Sequence, residues 1–456
     1  MRKRSVCIAA LAAFILSLFG CSAAEPPVAE TDKLVICADA ALVTLTRHLG
    51  NPIPWQVFHD LYPNVEIELI ELPDPAVNRA LYETVRQKMR TELMSGKGPD
   101  FFVLRSPGRD FEGFFPDVEK AMRSGLFCDL RTLYTDPFSG TVYIDESRDP
   151  AAMFTAGQVD GKQFTMPLAF GFPAIATNDI THEKLGVSDS YGTADMLAGL
   201  RRVFSAPGAM KMAASGADEI YLNPYNYTQS PLVNYGAETA ELDTALTRDI
   251  LETGKFLSEH IKRLREEGWL RLDRVYTETV NGGFEDYLFS EDYAVMADVN
   301  ALNWTESRFT STFYEYSPYL DAIPGEDVGI NAMVSYFGAI RANSPNKLNA
   351  MRYLALFFER IRLSNHDNMV RRNPPTGAAP ITDLASVIAW ENFGYLTSRT
   401  EETAVQFNRL WSRVVSSRYP VPKEVTDIIT RYYEGEIDLD DTIRRMREYW
   451  EISLSE

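Results

Sequence analysis

The stretch VNRALYETVRQKMRTELMSGKGPDFFVL, residues 77–104, leads from a helical pattern straight into a buried strand. Its apolar residues recur at a spacing of four, at Val77, Leu81, Val85, Met89 and Leu93. This spacing predicts one apolar face of a helix, and Gly96 can end that helix because glycine readily takes the left-handed conformation found at helix C-termini. The unbroken apolar run at 101–104 then predicts a strand buried on both faces.

Two further strand patterns precede this unit. LVICA at 34–38 is a short apolar run, whereas VEIEL at 65–69 alternates apolar and acidic residues, with a short helical pattern between the two. The order strand, helix, strand, helix, strand predicts an α/β protein with a parallel or mixed sheet covered by helices. Such sheets bind ligands beyond the carboxyl ends of their strands. Asp39, directly after the first strand run, is therefore a candidate ligand-binding residue, with a helix cap or a turn as the alternative.

The composition fits an ordinary globular protein of two or three domains. The chain has 456 residues, of which 45% are hydrophobic and 24% are charged, a balance that excludes a disordered or collagen-like chain. Its 64 acidic residues outnumber the 45 Lys and Arg residues, which gives a formal net charge of −19. Because nucleic acids and anionic lipid surfaces need clustered positive charge, this balance argues against nucleic-acid binding and against electrostatic adhesion to membranes.

The N-terminus has the pattern of an exported protein. Residues 1–20 carry three basic residues and then an apolar run, which is shorter than the roughly 20 residues of a spanning helix and typical of a signal peptide. Residues 18–21, Leu-Phe-Gly-Cys, resemble a bacterial lipobox, which implies cleavage before Cys21 and lipidation of its sulfur. The alternative is an ordinary signal with a chance cysteine. Residues 21–32 then predict a lipid-anchored tether at the extracytoplasmic face of the cell membrane.

Two cysteines remain once Cys7 leaves with the signal peptide and Cys21 is acylated. The sequence leaves open whether Cys37 and Cys128 pair or stay as buried free thiols.

Signals for catalysis and for cofactors are weak throughout the chain. The five histidines show no metal-ligand spacing, and no phosphate-binding loop or nucleophile elbow is present. With 64 acidic residues, a carboxylate pair is no evidence for glycoside hydrolysis. We therefore predict no catalytic residue, no metal and no cofactor.

Six segments, taken in order, carry a family resemblance. They are 90–104, 125–134, 157–187, 289–304, 340–359 and 432–450. Together they resemble the bacterial extracellular solute-binding proteins of family 1, the sugar receptors of ABC importers. The most specific segment, GQVDGKQFTMPLAFGFPAIATNDITHEKLGV at 157–187, is similar to the family's Asp-Gly-Lys strand, its proline and the crossing to the next strand. Segments 205–240 and 305–335 show no such similarity, so the ligand is less determined than the fold.

The resemblance implies a two-lobed periplasmic-binding-protein-like fold of type II, with mixed sheets flanked by helices and hinge strands between the lobes. The implied boundaries are 33–170 plus 337–380 for the first lobe and 171–336 plus 381–456 for the second. The crossings are expected near 170–174, near 334–338 and after 373–381. Gly171 and Gly338 suit hinge positions, because a hinge must absorb a change in backbone angles.

A sugar has a C–H face that packs on an aromatic ring and hydroxyls that need polar partners, so its cleft needs both residue types. Asn300 and Trp304, just beyond a strand pattern, have this composition, and the resemblance places an aromatic residue there in the cleft. The other candidates, each with core or loop packing as its alternative, are Phe170, Phe172, Tyr225, Tyr227, Tyr336 and Trp390. Asp100, by contrast, is expected to be structural.

The resemblance implies a monomeric receptor that closes on a small-molecule solute, a sugar or oligosaccharide, and presents it to the membrane subunits of an ABC permease. Two alternatives stay open: the same fold binding a polyamine or peptide, and a secreted glycoside-degrading enzyme. A receptor that serves a sensor instead of a permease is a third.

Overall fold

The computed structural model describes residues 33–39, 54–107, 112–148, 151–171, 174–177, 179–186, 191–205, 211–213, 233–234, 239–240, 242–266, 293–298, 319–322, 329–356, 358 and 412–455. Among these, the strands are β1 (Lys33–Asp39), β2 (Glu66–Leu72), β3 (Phe101–Arg105), β4 (Gln158–Val159), β5 (Lys162–Gln163), β6 (Thr165–Gly171), β7 (Ala174–Thr177), β8 (Lys211–Ala213), β9 (Val233–Asn234), β10 (Thr239–Ala240), β11 (Tyr293–Asp298), β12 (Tyr319–Ala322), β13 (Ile330–Ile340) and β14 (Val414–Arg418). The helices are α1 (Pro54–Leu61), α2 (Pro75–Met94), α3 (Val118–Arg123), α4 (Asp179–Leu185), α5 (Thr193–Ser205), α6 (Ala245–Glu266), α7 (347–356), α8 (Lys423–Tyr433) and α9 (Leu439–Ser455).

The first sheet is mixed and has six strands. β1 lies between β2 and β3, and all three are parallel. β13 pairs antiparallel with β3 and with β6, and parallel with β14. Leu34, Ile36 and Cys37 of β1 are at most 2% exposed, as the apolar run at 34–38 predicts for a strand covered on both faces. The predicted α/β arrangement of this region is therefore confirmed.

Helix α2 follows the predicted spacing, but its first residues are exposed and burial begins at Tyr82. The backbone of Asn78 is not helical, and its side chain accepts a hydrogen bond from the amide of Leu81 at 3.0 Å. Val77 is 84% exposed and Leu81 is 48% exposed, whereas Met89 is 3% exposed. The apolar residues at a spacing of four therefore begin at Val77, several residues before the helix contacts the core.

The second sheet has four strands in the order β12-β7-β11-β8. β11 (Tyr293–Asp298) is the strand predicted just before Asn300, and α6 (Ala245–Glu266) is a long helix. Helix α6 packs against α8 and α9, the last two helices of the described chain. Gly254 is needed at this contact, because a Cβ atom there would lie 2.0 Å from the hydroxyl oxygen of Tyr433.

Two separate hydrophobic clusters lie within the described part of the chain. One lies at the first sheet and includes Phe101, Phe102, Phe337 and Met122. The other joins α6, α8 and α9, and it includes Trp450. Separate cores are what two lobes require, because each lobe must bury its own apolar face.

Two of the three predicted crossings between the lobes fall on neighbouring strands, β6 and β13. Met333 and Val334 of β13 lie opposite Gly171 and Phe170 of β6. β6 leads on toward β7 of the second sheet, so the chain passes between the sheets beside β13. β14, which the implied boundaries assign to the second lobe, pairs with the first residues of β13. The lobe boundaries themselves stay a prediction.

Cys37 and Cys128 are free thiols in the structure. Burial raises the pKa of both, that of Cys128 to about 12. Of the two possibilities that the sequence leaves open, the structure has the unpaired one.

No helix in the part of the chain that the structure describes is both long and apolar enough to cross a bilayer. The predicted signal peptide, the tether with Cys21 and the third crossing after 373–381 lie outside the described residues.

Candidate functional site

The carboxyl edge of the first sheet brings the described candidate residues together. Asp39 ends β1, and Arg105 ends the parallel neighbour β3. Tyr336 of β13 lies opposite Arg105, and on its other side it pairs with β6 next to Phe170. The candidates therefore lie across four neighbouring strands at one edge, which is where sheets of this kind bind ligands. We call this edge, from Asp39 to Phe170, the candidate crevice.

Asp39 is buried at the base of the candidate crevice. It is 4% exposed, and its carboxylate accepts a hydrogen bond from the backbone amide of Arg105. Burial raises the pKa of Asp39 to about 6, and the bond from Arg105 opposes that rise. This hydrogen bond joins the ends of two parallel strands. It is a structural contact, as expected if Asp39 serves a turn rather than a ligand. A role in ligand binding stays a prediction.

An arginine from α2 supports the same edge. Arg86 is 8% exposed and donates to the carbonyl of Gly113 at 2.9 Å and to the carboxylate of Glu112 at 3.0 Å. Tyr82, one helical turn earlier, is almost fully buried, and its pKa is raised by that burial and by the charge of Asp39. These contacts fix the loop that starts at Glu112. Sequence reasoning missed Arg86, because it lies inside an amphipathic repeat in which polar residues are expected to face solvent.

Ser106, directly after β3, is a second residue that sequence reasoning missed. It is 5% exposed, and its amide donates to the carbonyl of Ser335 at 2.8 Å. Its hydroxyl makes no hydrogen bond with the described part of the chain. A buried hydroxyl without a partner costs about 1–3 kcal/mol, so a ligand hydroxyl or a water that reached it would be stabilised. A serine placed just beyond a predicted buried strand was the signal that could have found it.

Tyr336 lies where β13 is locally irregular. Its neighbours Val334 and Phe337 are buried, but Ser335 and Tyr336 are only half-buried. The register with β6 shifts on both sides of Tyr336. Tyr336 also packs against the first hydrophobic cluster, and part of the residue stays exposed.

Most of the remaining candidates cannot be placed. Asn300, Trp304, Phe172, Tyr225, Tyr227 and Trp390 lie outside the described residues, and so does Cys21. Phe170 is placed by its backbone register with Val334 alone.

Asp100 has the structural role expected for it, at the opposite end of β3. It is 3% exposed. One carboxylate oxygen accepts from the Ser344 hydroxyl at 2.7 Å, and the other accepts from the Val35 amide and the Asn346 side chain, both at 3.0 Å. Asp100 thus joins β1 and β3 to the start of α7.

Within the described ranges, no group of three or more His, Cys, Asp or Glu side chains is arranged to hold a metal ion. The chemistry at the candidate crevice is that of hydrogen bonding and ring contact: a carboxylate, a serine hydroxyl and a tyrosine ring.

Comparisons with known proteins give structural matches only. No protein-family model and no curated protein matches the sequence. The galacto-N-biose/lacto-N-biose I-binding protein of a Bifidobacterium longum ABC transporter, in complex with lacto-N-biose, is 12% identical with a TM-score of 0.54, over 93% of this chain and 97% of that one.

Two further solved structures are similar to the same degree. An ABC substrate-binding protein from Listeria monocytogenes, in complex with cycloalternan, is 12% identical with a TM-score of 0.52, over 93% of this chain and 99% of that one. A solute-binding protein from Thermotoga lettingae, bound with alpha-D-tagatose, is 15% identical with a TM-score of 0.50. The match covers 93% of this chain and 100% of that one. All three are binding proteins rather than enzymes. At these identities the likeness shows the fold: this chain has the two-lobed α/β fold of the periplasmic and extracellular solute-binding proteins.

Proposed function

We propose that this protein is the lipid-anchored, extracytoplasmic solute-binding component of an ABC importer and that it captures a sugar or oligosaccharide between its lobes. The observation that carries the proposal is the candidate crevice, which lies beside the crossing strands β6 and β13. Support comes from the fold, since its solved relatives are bound to lacto-N-biose, cycloalternan and tagatose.

The candidate crevice offers the groups that a sugar needs. Tyr336 is a partly exposed aromatic residue for a C–H face, whereas Ser106 and Asp39 can exchange hydrogen bonds with ligand hydroxyls. A neutral sugar makes no ion pair with Asp39, so its affinity depends on hydrogen bonds and ring contact. Asn300 and Trp304 would complete the site from the second lobe.

Closure follows from differential binding. A ligand that contacts both lobes binds the closed form more tightly and shifts the population toward it. A shift from 1:99 to 99:1 needs about 5.5 kcal/mol of differential binding. A micromolar site supplies about 8 kcal/mol in total, so ordinary affinity is enough. The closed pair of lobe faces would then be presented to the permease subunits.

Isothermal titration of the purified chain against mono- and oligosaccharides tests the ligand class. We expect at least one sugar to bind, and we expect Tyr336→Ala to weaken that binding more than tenfold while Tyr353→Phe, in the core, leaves it unchanged. Failure of every sugar to bind would contradict the proposal. Binding of a polyamine or peptide instead, or release of product from a polysaccharide, would identify one of the alternatives.

The anchor is tested separately in cells. Metabolic labelling with an alkyne fatty acid should mark the wild type and not Cys21→Ala, and the variant should appear in the soluble extracytoplasmic fraction. Equal membrane retention of both proteins would contradict lipidation at Cys21. Size-exclusion chromatography with light scattering checks the expected monomer.

A further inference from the structure

The predicted tether enters the fold at the edge of the first sheet opposite the candidate crevice. Lys33 begins β1 opposite Glu66, the first residue of β2, and the parallel strand β3 begins at Phe101. We call this edge the amino edge. A tether of the length of residues 22–32 reaches about 40 Å when it is fully extended. A membrane that holds Cys21 therefore stays within that distance of the amino edge.

Two helices end at the amino edge with exposed apolar side chains. α1 ends at Leu61, which is exposed, and the chain then turns at Tyr62 into β2. α2 ends at Met94, which is 91% exposed. The chain then reaches β1 at once, because the amide of Asp100 donates to the carbonyl of Val35 at 2.8 Å. Both side chains thus lie at the same end of the first sheet.

The loop 135–142 reaches the same edge through Arg352 of α7. The guanidinium of Arg352 donates to the carboxylate of Asp136 at 3.1 Å, and it lies 5.3 Å from the ring centre of Tyr62. Tyr62 comes just before β2, where the amide of Val65 donates to its carbonyl at 3.0 Å. The loop is therefore a third segment at the amino edge.

Asp136 holds the loop 135–142 in a defined shape. Its buried carboxylate accepts from the amides of Phe138 at 2.8 Å and Ser139 at 3.0 Å. Its own amide donates to the carbonyl of Thr141 at 2.8 Å. At the tip, Phe138 is 79% exposed. A loop that is held in this way loses little conformational entropy when its tip is buried against a partner.

Four exposed apolar side chains therefore share one end of the first sheet. We call them the amino-edge patch: Leu61, Met94, Phe138 and Val142. They are half of the large apolar side chains that are exposed in the described part of the chain. Burial of such side chains at the boundary between lipid headgroups and acyl chains is favourable. It needs no excess of positive charge, which this chain, with a net charge of −19, does not have.

We infer that the amino-edge patch docks on the lipid surface to which the protein is anchored. The inference rests on the proposed lipid anchor, because the short tether is what keeps the patch close to lipid. The acyl chains would hold the protein at the membrane, and the patch would set its orientation. Docking by the amino edge leaves the candidate crevice at the other edge of the sheet, accessible to solute.

Fluorescence quenching on phosphatidylcholine vesicles tests the docking. The chain that follows Cys21 is held at its N-terminus by a histidine tag on a nickel-chelating lipid, so that neither lipidation nor a solute is needed. An NBD dye at Met94→Cys reports the patch. The same dye at Val77→Cys, also exposed, reports the other end of α2, about 25 Å away. Both variants carry Cys128→Ser, and Cys37 is fully buried.

We expect doxyl-labelled phosphatidylcholine to quench the dye at Met94→Cys and not the dye at Val77→Cys. Combining Phe138→Ser with Val142→Ser should lower the ratio of docked to undocked protein about tenfold or more. Val415→Ser changes an exposed apolar residue of β14. It is the matched control and should leave the quenching unchanged.

Three results would each overturn the inference. The first is equal quenching of the two dyes, and the second is quenching that survives the Phe138 and Val142 changes in a folded protein. The third is a dimer in light scattering that the same two changes dissociate, which would assign the patch to a second copy of this chain. Because the tag replaces the anchor, an unlabelled Cys21 would contradict lipidation without affecting these signals. Absence of quenching, conversely, would leave lipidation and sugar binding standing.

Discussion

The hydroxyl oxygens of Thr165 and Tyr419 are 2.6 Å apart in a buried hydrogen bond, although 254 residues separate them in the chain. Thr165 begins β6, the first crossing strand, and Tyr419 follows β14. The ring of Tyr419 also contacts Phe337 of β13. This bond therefore ties together three segments that meet where the chain passes between the sheets.

Replacing Tyr419 by Phe removes the hydroxyl and keeps the ring contact. Because Thr165 would lose its buried partner, we expect the free energy of unfolding to fall by about 1–2 kcal/mol. Urea denaturation of Tyr419→Phe, Thr165→Val and the double variant checks this. In the double variant the loss should be smaller than the sum of the single losses, and strictly additive losses would show that the bond contributes nothing.

Asp39 gives a pH dependence of stability with a defined sign. Its pKa in the folded protein is about 6, above its ordinary value of 3.8, so the folded state holds the proton more tightly than the unfolded state does. The associated stabilisation is present below about pH 4 and is lost as the pH rises through 6. We expect the stability difference between wild type and Asp39→Asn to change by about 2 kcal/mol from pH 4 to pH 7. Denaturation at four pH values measures it, and parallel curves for the two proteins would refute it.

Ser106→Ala separates ligand binding from folding. The change removes a buried hydroxyl that has no partner among the described residues, so stability should stay the same or rise slightly. If the hydroxyl bonds the sugar, affinity should fall about 5- to 10-fold. Ser124→Ala, whose hydroxyl bonds the carbonyl of Ala121 at the end of α3, serves as the control and should leave affinity unchanged. Equal affinities for all three proteins would remove Ser106 from the site.

Asp100→Ala should be the most destabilising of these changes. Its carboxylate serves the Val35 amide, the Ser344 hydroxyl and the Asn346 side chain in a buried setting. Removing the carboxylate leaves these three buried donors without an acceptor. We expect the free energy of unfolding to fall by about 3–5 kcal/mol.

The matched control for Asp100 is Asp441→Ala. Asp441 pairs with Arg444 and Arg445 on the surface of α9, where ion pairs contribute below about 1 kcal/mol. Similar midpoints in thermal denaturation for both variants would contradict the structural role of Asp100.

Much of the secondary structure was predictable because it depends on local patterns. The apolar run that became β1, the spacing behind α2 and the positive φ of Gly96 after α2 each depend on neighbours within a few residues. The helix predicted at α2 is present, but Val77 and Leu81 on its apolar face are exposed, because a periodic pattern does not say how far the covering core extends.

The site was less predictable. Asp39 and Tyr336 were singled out from strand patterns, and their role in ligand binding stays a prediction. The burial of Asp39 against the Arg105 amide and the hydroxyl of Ser106, which has no partner among the described residues, depend on which strands become neighbours. No local pattern contains that information.

The sequence by itself determined the α/β class and the order of the first five helices and strands, since hydrophobic spacing and turn residues depend only on nearby residues. Tertiary structure alone decided that Cys37 and Cys128 stay unpaired, that Val334 lies opposite Phe170, and that Ser453 reaches Asp117. These relationships join residues far apart in the chain, and they are set by the packing of whole elements, which minimises exposed apolar surface over the entire fold.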